Sequence, residues 1–384
     1  MTRFAYIAPL IFDGERLHEE HHLLTDSGRV LGLFPGLPDA AVPQRVFQEG
    51  ILAPGFIDVQ VNGGGGHMLN DGPTPDVMAA IAESHRIHGG TTALMPTLIT
   101  DTPEITLAAL EAAEEGVKRP GVIGLHLEGP HLDPRRKGAH SAELMRPLTD
   151  RDLALYTDFA PRIGRLMITV AASQVRPDQV RALADAGVIV SLGHTEAFAD
   201  EADALFDAGA RGVTHLYNAM RGIAHRDPGL VSAALVRGDV WAGIIADGHH
   251  VEKRALQLAF AAKKGPARLF LVTDAMALVG SDRNEFMLNG RRVTREKVGF
   301  CPRLTLEDGT LAGSDIGMAD TVRYCVEVLG MPVEEALRHA TYDPACFLRI
   351  DHERGSFRPG ARSDIVHLSQ NLTLCETILA AGAA

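Results

Sequence analysis

Short apolar runs alternate with helix-like segments between residues 51 and 272 of the chain. Continuous apolar runs of this kind are typical of strands that are buried on both faces of a parallel sheet. The runs are 51–59, 92–95, 122–127, 166–171, 188–192, 213–216, 241–246 and 269–272. Between several of them lie amphipathic segments that end in a glycine suited to a helix C-cap, namely 74–89, 103–116, 177–187, 199–209 and 251–265.

Eight strand-like runs with intervening helices favour a closed (β/α)8 barrel of the TIM type over an open doubly wound sheet. We predict that this α/β barrel spans residues 51–354 and carries a β-hairpin insertion at 286–312. The two ends of the chain differ, because short alternating segments there are broken by turns such as Asp13-Gly14 and Pro35-Gly36. Residues 1–50 and 355–384 are therefore predicted to form one small β domain.

Titratable side chains follow several of these runs, at the end where a barrel places its chemistry. Glu128 follows the third run, His194 the fifth and His215 the sixth. An isolated histidine is more often structural, but one carboxylate and two imidazoles at strand ends make a ligand set for a catalytic divalent metal. The other polar residues at such ends are Asp58, Gln60, Asp247, His250 and Asp274.

Asp274 directly follows the last apolar run and its threonine, and two roles suit it. A carboxylate here could be the N-cap of a helix that starts after the strand. It could equally be the general base for a metal-activated water. Its place at the end of the eighth strand favours the base, and one side chain would not easily serve both roles.

Three further motifs have weaker implications. The run Asn62-Gly63-Gly64-Gly65-Gly66 lacks both GxGxxG spacing and a GK[ST] ending, so we interpret it as a close-packed or flexible loop. His85 and His88 lie on a predicted outer helix and are interpreted as packed or solvated. The segment 135–137 and Arg226 place positive charge in loops at the expected active end.

Composition and net charge limit the classes of binding partner that this protein is expected to have. Hydrophobic residues make up 46% and charged residues 22%, which is the balance of a soluble globular protein, and no apolar run is long enough to span a membrane. The net charge of −12 argues against nucleic acid and means that a phosphate-bearing ligand needs a local basic site. Widely spaced cysteines indicate reduced thiols and a cytoplasmic protein. They are Cys301, Cys325, Cys346 and Cys375.

Several motifs resemble those of the N-acetylglucosamine-6-phosphate deacetylases of the amidohydrolase superfamily. They are PGFIDVQ at 54–60, HLEGP at 126–130, KGAH at 137–140, GHT at 193–195, THLYNAM at 214–220, DGHH at 247–250 and VTDA at 272–275. The combination of HLEGP with THLYNAM is highly specific, and the match runs through most of the chain. The resemblance implies a metal-dependent barrel with a β-sandwich, in agreement with the organisation predicted above.

The resemblance also implies an activity: hydrolysis of N-acetyl-D-glucosamine 6-phosphate to D-glucosamine 6-phosphate and acetate, in amino-sugar catabolism and cell-wall recycling. Carried over by position, Glu128, His194 and His215 would hold one Zn²⁺ or Fe²⁺ per subunit. That ion would activate the attacking water. Asp274 would take the proton of that water and return it to the leaving amine. His140 would polarise the acetamide carbonyl.

Substrate contacts and assembly follow from the same resemblance. The implied contacts are Ala139, His140, Asn218, Ala219, Arg226, His250, Leu311, Ala312 and Gly313. Arg226 and His250 would supply the cationic donors for the phosphate. Enzymes of this family are usually homodimers, and residues near Arg226 would then reach the neighbouring subunit.

The chain departs from the commoner amidohydrolase pattern at the end of the first strand. Many members carry His-x-His there and bind a second metal, whereas this chain has Gln60 and Asn62. Amide side chains are poor ligands beside imidazole and carboxylate, so we expect one metal position.

Two other functions are compatible with a barrel of this kind. An amidohydrolase acting on a cyclic amide would commonly need a carboxylated lysine and two metals, and neither is indicated here. A non-catalytic barrel scaffold would typically lack a ligand or the base, and this chain retains both.

Overall fold

Eight parallel strands form the barrel in the computed structural model, which describes residues 3–380. Each strand pairs with its neighbours in sequence. The strands are Phe56–Val61, Thr91–Ile99, Leu125–Glu128, Leu166–Val170, Ile189–Leu192, Gly212–Val213, Trp241–Ile244 and Leu269–Leu271. The predicted (β/α)8 barrel is therefore confirmed, with each strand placed within a few residues of its apolar run.

The first and eighth barrel strands meet just beyond the eighth strand's last residue. The backbone N–H of Asp274 donates to the carbonyl of Gln60 at 2.9 Å, and that of Asn62 donates to the carbonyl of Ala275 at 2.8 Å. The Asp58 carboxylate accepts the hydroxyl of Thr273 at 2.5 Å across the same seam. Side chains and main chain together thus join these strands at the active end.

Helices surround the barrel and begin at recognisable caps. Thr74 and Thr102 accept a backbone N–H in the first turn of the first two helices, and each is followed by a proline. The helices are Pro75–Gly89, Pro103–Gly116, Asp150–Ile163, Pro177–Asp185, Ala199–Asp207, Leu230–Val236, Lys253–Ala262, Met318–Glu327, Val333–Ala340 and Tyr342–Phe347. Short 3-10 turns occur at Leu69–Asp71, Pro134–Arg136, Ala142–Leu144 and Ala172–Gln174. Within residues 3–380, no helix is both long enough and apolar enough to cross a membrane.

Two sheets built from both ends of the chain pack face to face as a β-sandwich. One contains Arg3–Ile7, His21–Asp26, Arg29–Pro35 and Gln44–Val46. The other contains Leu10–Phe12, Leu17–Glu19, Ile51–Pro54, Ile365–Leu368 and Leu374–Ile378. Their shared core includes Ile11, Leu23, Leu52, Phe357 and Ile365. The sandwich predicted from the termini is therefore present, while the division at residues 50 and 355 stays a prediction.

The first apolar run, 51–59, is two strands rather than one, so the prediction of a single barrel strand was wrong there. Ile51–Pro54 pairs with Leu10–Phe12 and Ile365–Leu368 in the terminal sheet, and the barrel begins at Phe56. Gly55 lies between the two strands, and a Cβ atom on it would approach Thr92 Oγ1 to 2.0 Å. The chain can change sheets there because a glycine leaves room for the neighbouring strand.

The insertion after the eighth strand has three antiparallel strands instead of the predicted hairpin. They are Glu285–Leu288, Arg291–Glu296 and Arg303–Leu306, and a two-stranded ribbon, Gly63–Gly64 with His67–Met68, lies near them. Arg295 fixes the insertion through a bidentate pair with the buried Asp315, at 2.6 and 3.0 Å. The chain then returns to the barrel mouth at Leu311, which brings the predicted sugar contacts to the strand ends.

Candidate metal centre and active site

Glu128, His194 and His215 meet at the mouth of the barrel, as the strand-end pattern predicted. Glu128 Oε1 lies 2.8 Å from His215 Nε2 and 3.2 Å from His194 Nε2, and the two Nε2 atoms are 3.0 Å apart. All three side chains are buried, and one ligand atom from each lies within 4.8 Å of the others. Among residues 3–380 this is the one cluster with metal-ligand geometry.

The backbone at these positions leaves the strand in an uncommon conformation. His194, His215 and Asp274 have φ angles of 45°, 34° and 52°, in the left-handed region. This conformation costs an L-residue about 1–2 kcal/mol. It turns each side chain from the strand end into the barrel mouth, and such strain concentrates at functional sites.

The donor set fits a cation. His194 Nδ1 donates to the carbonyl of Arg136 at 2.7 Å, which leaves a lone pair on Nε2 of the neutral ring, facing the Glu128 carboxylate. Burial opposes ionisation of Glu128, but the hydrogen bonds and charge of the imidazoles hold its pKa well below the usual range. Burial alone would lower the pKa of His215. The hydrogen bond and the charge of Glu128 together outweigh burial, so the pKa of His215 is raised. Lone pairs and negative charge that converge on one point suit a divalent metal.

Gln60 and Asn62 act as hydrogen-bond donors in this site. Gln60 Nε2 donates to Glu128 Oε1 at 3.2 Å and to Asp274 Oδ1 at 3.1 Å, while Asn62 Nδ2 donates to Asp274 Oδ1 at 2.7 Å. Gln60 and Asn62 therefore present N–H groups to the carboxylates, and these groups offer no lone pair to a metal. This arrangement supports the expectation of one metal position.

Asp274 faces the ligand cluster, and it does not cap a helix. The segment that follows it runs through turns to the strand Glu285–Leu288, so the alternative of a helix N-cap was wrong. Burial, together with the charge of Glu128, raises the pKa of the Asp274 carboxyl to about 6, although His215, His250 and Asn62 oppose the rise. A base with such a pKa is closer to neutral pH than an ordinary aspartate.

His140 presents a hydrogen-bond donor to the same cluster. Its Nδ1 accepts the backbone N–H of Thr100 at 3.3 Å, so in the neutral ring the proton resides on Nε2. Burial, followed by the nearby His194, lowers the pKa of His140 to about 3 and keeps the ring neutral. The Nε2 atom lies 3.9 Å from Glu128 Oε2, next to the ligand cluster.

A cavity of about 150 Å³ opens onto these groups. Its lining contains every predicted site residue except Arg226. It also contains Asn62, Ile99, Gly138 and Met276, which were not predicted as site residues. Of these four, only Asn62 has a polar side chain that could have indicated a site. The predicted residues in the lining are Glu128, Ala139, His140, His194, His215, Asn218, Ala219, His250, Asp274, Leu311, Ala312 and Gly313. Arg226 lies instead in the exposed loop 222–228.

Two cationic side chains flank the cavity. Asp247 Oδ2 lies 2.6 Å from His250 Nδ1. Burial alone would lower the pKa of His250, but the charge and hydrogen bond of Asp247 outweigh burial and raise that pKa to about 9. The other ring N–H donates to the carbonyl of Ala312 at 2.9 Å. Arg291, at the start of an insertion strand, donates to the carbonyl of Ala139. Sequence reasoning missed Arg291, because nothing in the sequence shows where the insertion folds back.

The glycine run and the outer-helix histidine are structural. Gly65 and Gly66 donate to the carbonyls of Val279 and Ala277 at 2.7 and 2.8 Å, which makes the run a close-packed loop. His85 is buried, its Nε2 lies 2.9 Å from the carbonyl of Gly63, and burial lowers its pKa to about 4. His85 and the four glycines do not line the cavity, whereas Asn62 at the start of the run does.

Comparison with known proteins gives consistent relatives. Residues 51–381 match the family model described as the amidohydrolase family. An N-acetylgalactosamine-6-phosphate deacetylase of Shewanella sp. (strain ANA-3) is 40% identical across 86% of this chain and 82% of its own. The human N-acetylglucosamine-6-phosphate deacetylase is 35% identical across 86% of this chain and 82% of its own. The Mycobacterium smegmatis N-acetyl-D-glucosamine-6-phosphate deacetylase D267A mutant, solved with N-acetyl-D-glucosamine-6-phosphate, superposes with a TM-score of 0.90 at 31% identity over 99% of both chains.

The ligand cluster generates a prediction about metal content. We expect the purified protein to hold about one divalent metal ion per chain, because the amides of Gln60 and Asn62 donate where a second ion would bind. Elemental analysis should show that Glu128→Gln loses most of the metal. The exposed Glu115→Gln should keep it. Two ions per chain in the wild type, or full occupancy in Glu128→Gln, would contradict this assignment.

Proposed function

The chain belongs to the amidohydrolase family, and on that premise we propose that it removes the acetyl group of an N-acetylhexosamine 6-phosphate. The proposed substrate is N-acetyl-D-glucosamine 6-phosphate, and the products are D-glucosamine 6-phosphate and acetate, within amino-sugar catabolism and cell-wall recycling. The observation that carries this proposal is the single cavity in which the Glu128, His194 and His215 cluster, Asp274 and His140 converge. Relatives that act on two such sugar phosphates support it.

Glu128, His194 and His215 hold the divalent metal in this proposal, and their imidazole and carboxylate donors suit Zn²⁺ or Fe²⁺. When bound, the ion would polarise the acetamide carbonyl and lower the pKa of a water toward about 7. The protein's part is to fix these ligands. The hydrogen bond from His194 Nδ1 to the carbonyl of Arg136 does this for one ring.

Asp274 serves as the base and then as the acid. The hydrogen bonds from Gln60 and Asn62 both end on Oδ1, which leaves Oδ2 to take a proton from the attacking water. The raised pKa of Asp274 helps it to return that proton to the amine nitrogen, which must be protonated to leave. Both transfers use one side chain, and its position is set by the strand seam.

His140 stabilises the negative charge that develops on the acetamide oxygen. Its neutral ring carries the proton on Nε2, so a hydrogen bond can form without a prior proton transfer. Thr100 fixes the ring through Nδ1, with Oγ1 at 2.9 Å. Such a preset donor needs little reorganisation during the reaction.

The remaining lining residues bind the sugar phosphate. Ala139, Asn218, Ala219 and the segment 311–313 surround the sugar, and the cationic His250 contributes positive charge toward the phosphate. Arg226 supplies the second cation. Because it lies in an exposed loop together with Ile223, which is 63% exposed, we place it at a homodimer interface where it serves the neighbouring active site.

A second candidate substrate is the galactosamine epimer. The relative with 40% identity is an N-acetylgalactosamine-6-phosphate deacetylase, and the scissile acetamide is the same in both sugars. The cyclic-amide and scaffold alternatives have less support, because the cluster retains one carboxylate and two imidazoles. A cytoplasmic location is supported by four free cysteines, two of which are buried.

Acetate release tests the proposed function directly. We expect the metal-loaded protein to release acetate from N-acetylglucosamine 6-phosphate, much less from unphosphorylated N-acetylglucosamine, and none after chelation of the metal. The ratio of kcat/KM for the glucosamine and galactosamine epimers decides between the two substrates. Absence of acetate release from both sugar phosphates would overturn the proposed function.

Asp274→Asn tests the base. We expect this variant to retain its metal and its fold but to lose kcat by about two to four orders of magnitude, because an amide cannot take the proton. The exposed Asp282→Asn is the control and should keep wild-type turnover. Near-normal turnover of Asp274→Asn would remove Asp274 from the mechanism.

Arg226→Ala tests the phosphate contact. KM for the phosphorylated sugar should rise on the order of tenfold to a hundredfold, since a hydrogen bond to a charged group is lost. Turnover of the unphosphorylated sugar should change little, and the exposed Arg151→Ala should resemble the wild type on both. Equal losses on the two substrates would show that Arg226 does not contact the phosphate.

A further inference from the structure

The Thr273-Asp274 peptide is held on both sides by polar contacts. On the side of the first strand, the Asp58 carboxylate accepts the hydroxyl of Thr273 at 2.5 Å, and the carbonyl of Gln60 accepts the N–H of Asp274 at 2.9 Å. On the other side lies Ser314, which comes from the segment that follows the insertion. The base is thus clamped between two parts of the chain that are distant in sequence.

Ser314 makes three hydrogen bonds to this short segment. Its hydroxyl donates to the carbonyl of Thr273 at 2.5 Å, its backbone N–H donates to the carbonyl of Asp274 at 2.9 Å, and its carbonyl accepts the N–H of Met276 at 3.0 Å. The residue is 1% exposed, so water does not readily replace these partners. Only the first of the three bonds depends on the side chain.

The bond from the hydroxyl matters because Asp274 has a left-handed backbone conformation, with φ of 52°. An aspartate in that region relies on surrounding contacts to stay there. The Thr273 carbonyl belongs to the peptide that leads into Asp274, so its orientation fixes the starting direction of the catalytic side chain. Loss of its donor would leave this peptide held only through the N–H of Asp274, so that it could tilt and displace Oδ2 from the reacting water.

Ser314 also lies directly after the wall of the cavity, residues 311–313. The wall has its own support, because the N–H of Ala312 donates to the carbonyl of Leu304 at 3.1 Å and the carbonyl of Ala312 accepts from His250 at 2.9 Å. Removal of the Ser314 hydroxyl should therefore disturb Asp274 more than the sugar contacts. Ser314 makes no hydrogen bond to Glu128, His194 or His215.

We propose that Ser314 is a positioning residue for the reaction: its hydroxyl orients the Thr273-Asp274 peptide and so places the Asp274 carboxylate. This inference rests on the proposed function, because it assigns Ser314 to the same active site. It predicts a change in turnover that is separate from substrate binding, from metal content and from general stability.

The test compares Ser314→Ala with Ser84→Ala. Ser84 is also buried, and its hydroxyl also donates to a backbone carbonyl, that of Val279 at 2.8 Å, but it lies outside the cavity. Both variants lose one buried hydroxyl. We expect kcat of Ser314→Ala to fall about tenfold to a hundredfold, as a displaced catalytic group would cause. Its KM should stay within about twofold of the wild type, and its metal content should be unchanged. Ser84→Ala should keep wild-type kcat.

Ser314→Cys repeats the measurement with the side-chain volume preserved and only a weak donor, so it applies even if the alanine variant does not fold. A similar fall in kcat supports the proposal. A kcat for either variant equal to that of Ser84→Ala, or a rise in KM with unchanged kcat, would overturn it while the deacetylase function stands. A wild type that released no acetate would overturn both.

Discussion

The structure depends on the burial of two carboxylates, Glu128 and Asp274, in one cavity. Two negative charges removed from water are costly unless each is paired or hydrogen-bonded. The imidazoles of His194 and His215 converge on Glu128, and the amide of Gln60 donates one N–H to each carboxylate. The amide is neutral, so it joins the carboxylates without cancelling their charge. The charge that remains is what makes this point of the barrel a site for a cation.

The same constraint separates the roles of the two carboxylates. Glu128 lies against two imidazoles, which hold its pKa well below the usual range and keep it ionised as a ligand. Asp274 has no such partner, and burial beside Glu128 raises its pKa to about 6. Two similar side chains with diverging pKa values can therefore serve as ligand and as base in one cavity. The strand seam sets the distance between them, since Asp274 is anchored to Gln60 of the first strand.

Much of this arrangement could be predicted from the sequence, because strands buried on both faces leave continuous apolar runs. The runs did not give the strand lengths, however. The second strand, Thr91–Ile99, is longer than its run 92–95. The sixth strand is only Gly212–Val213, since the backbone turns inward to present His215 while its neighbours remain buried. The sequence did not show that the run 51–59 forms two strands, because both strands are buried and so leave one continuous apolar run, although they belong to different sheets. The helix Asp150–Ile163 carried a capping box at Thr149, but charged residues and an internal proline obscured its apolar spacing.

The position of Arg291 depends on the path of the insertion and could not be predicted, and this residue concerns the charge of the substrate. The protein carries a net charge of −12, which opposes the approach of a phosphate at long range. At the cavity two cations oppose this effect locally, because Asp247 stabilises the cation on His250 and the insertion brings Arg291 to the carbonyl of Ala139. His250 donates to the carbonyl of Ala312, so its charge is oriented by the wall that surrounds the sugar. A buried, hydrogen-bonded imidazolium is screened less by salt than an exposed arginine. Both ring N–H groups of His250 are already used, however, and Asp247 offsets its charge at longer range. In the proposed function the phosphate therefore needs the free donors of a further cation, the role given to Arg226 in the exposed loop 222–228.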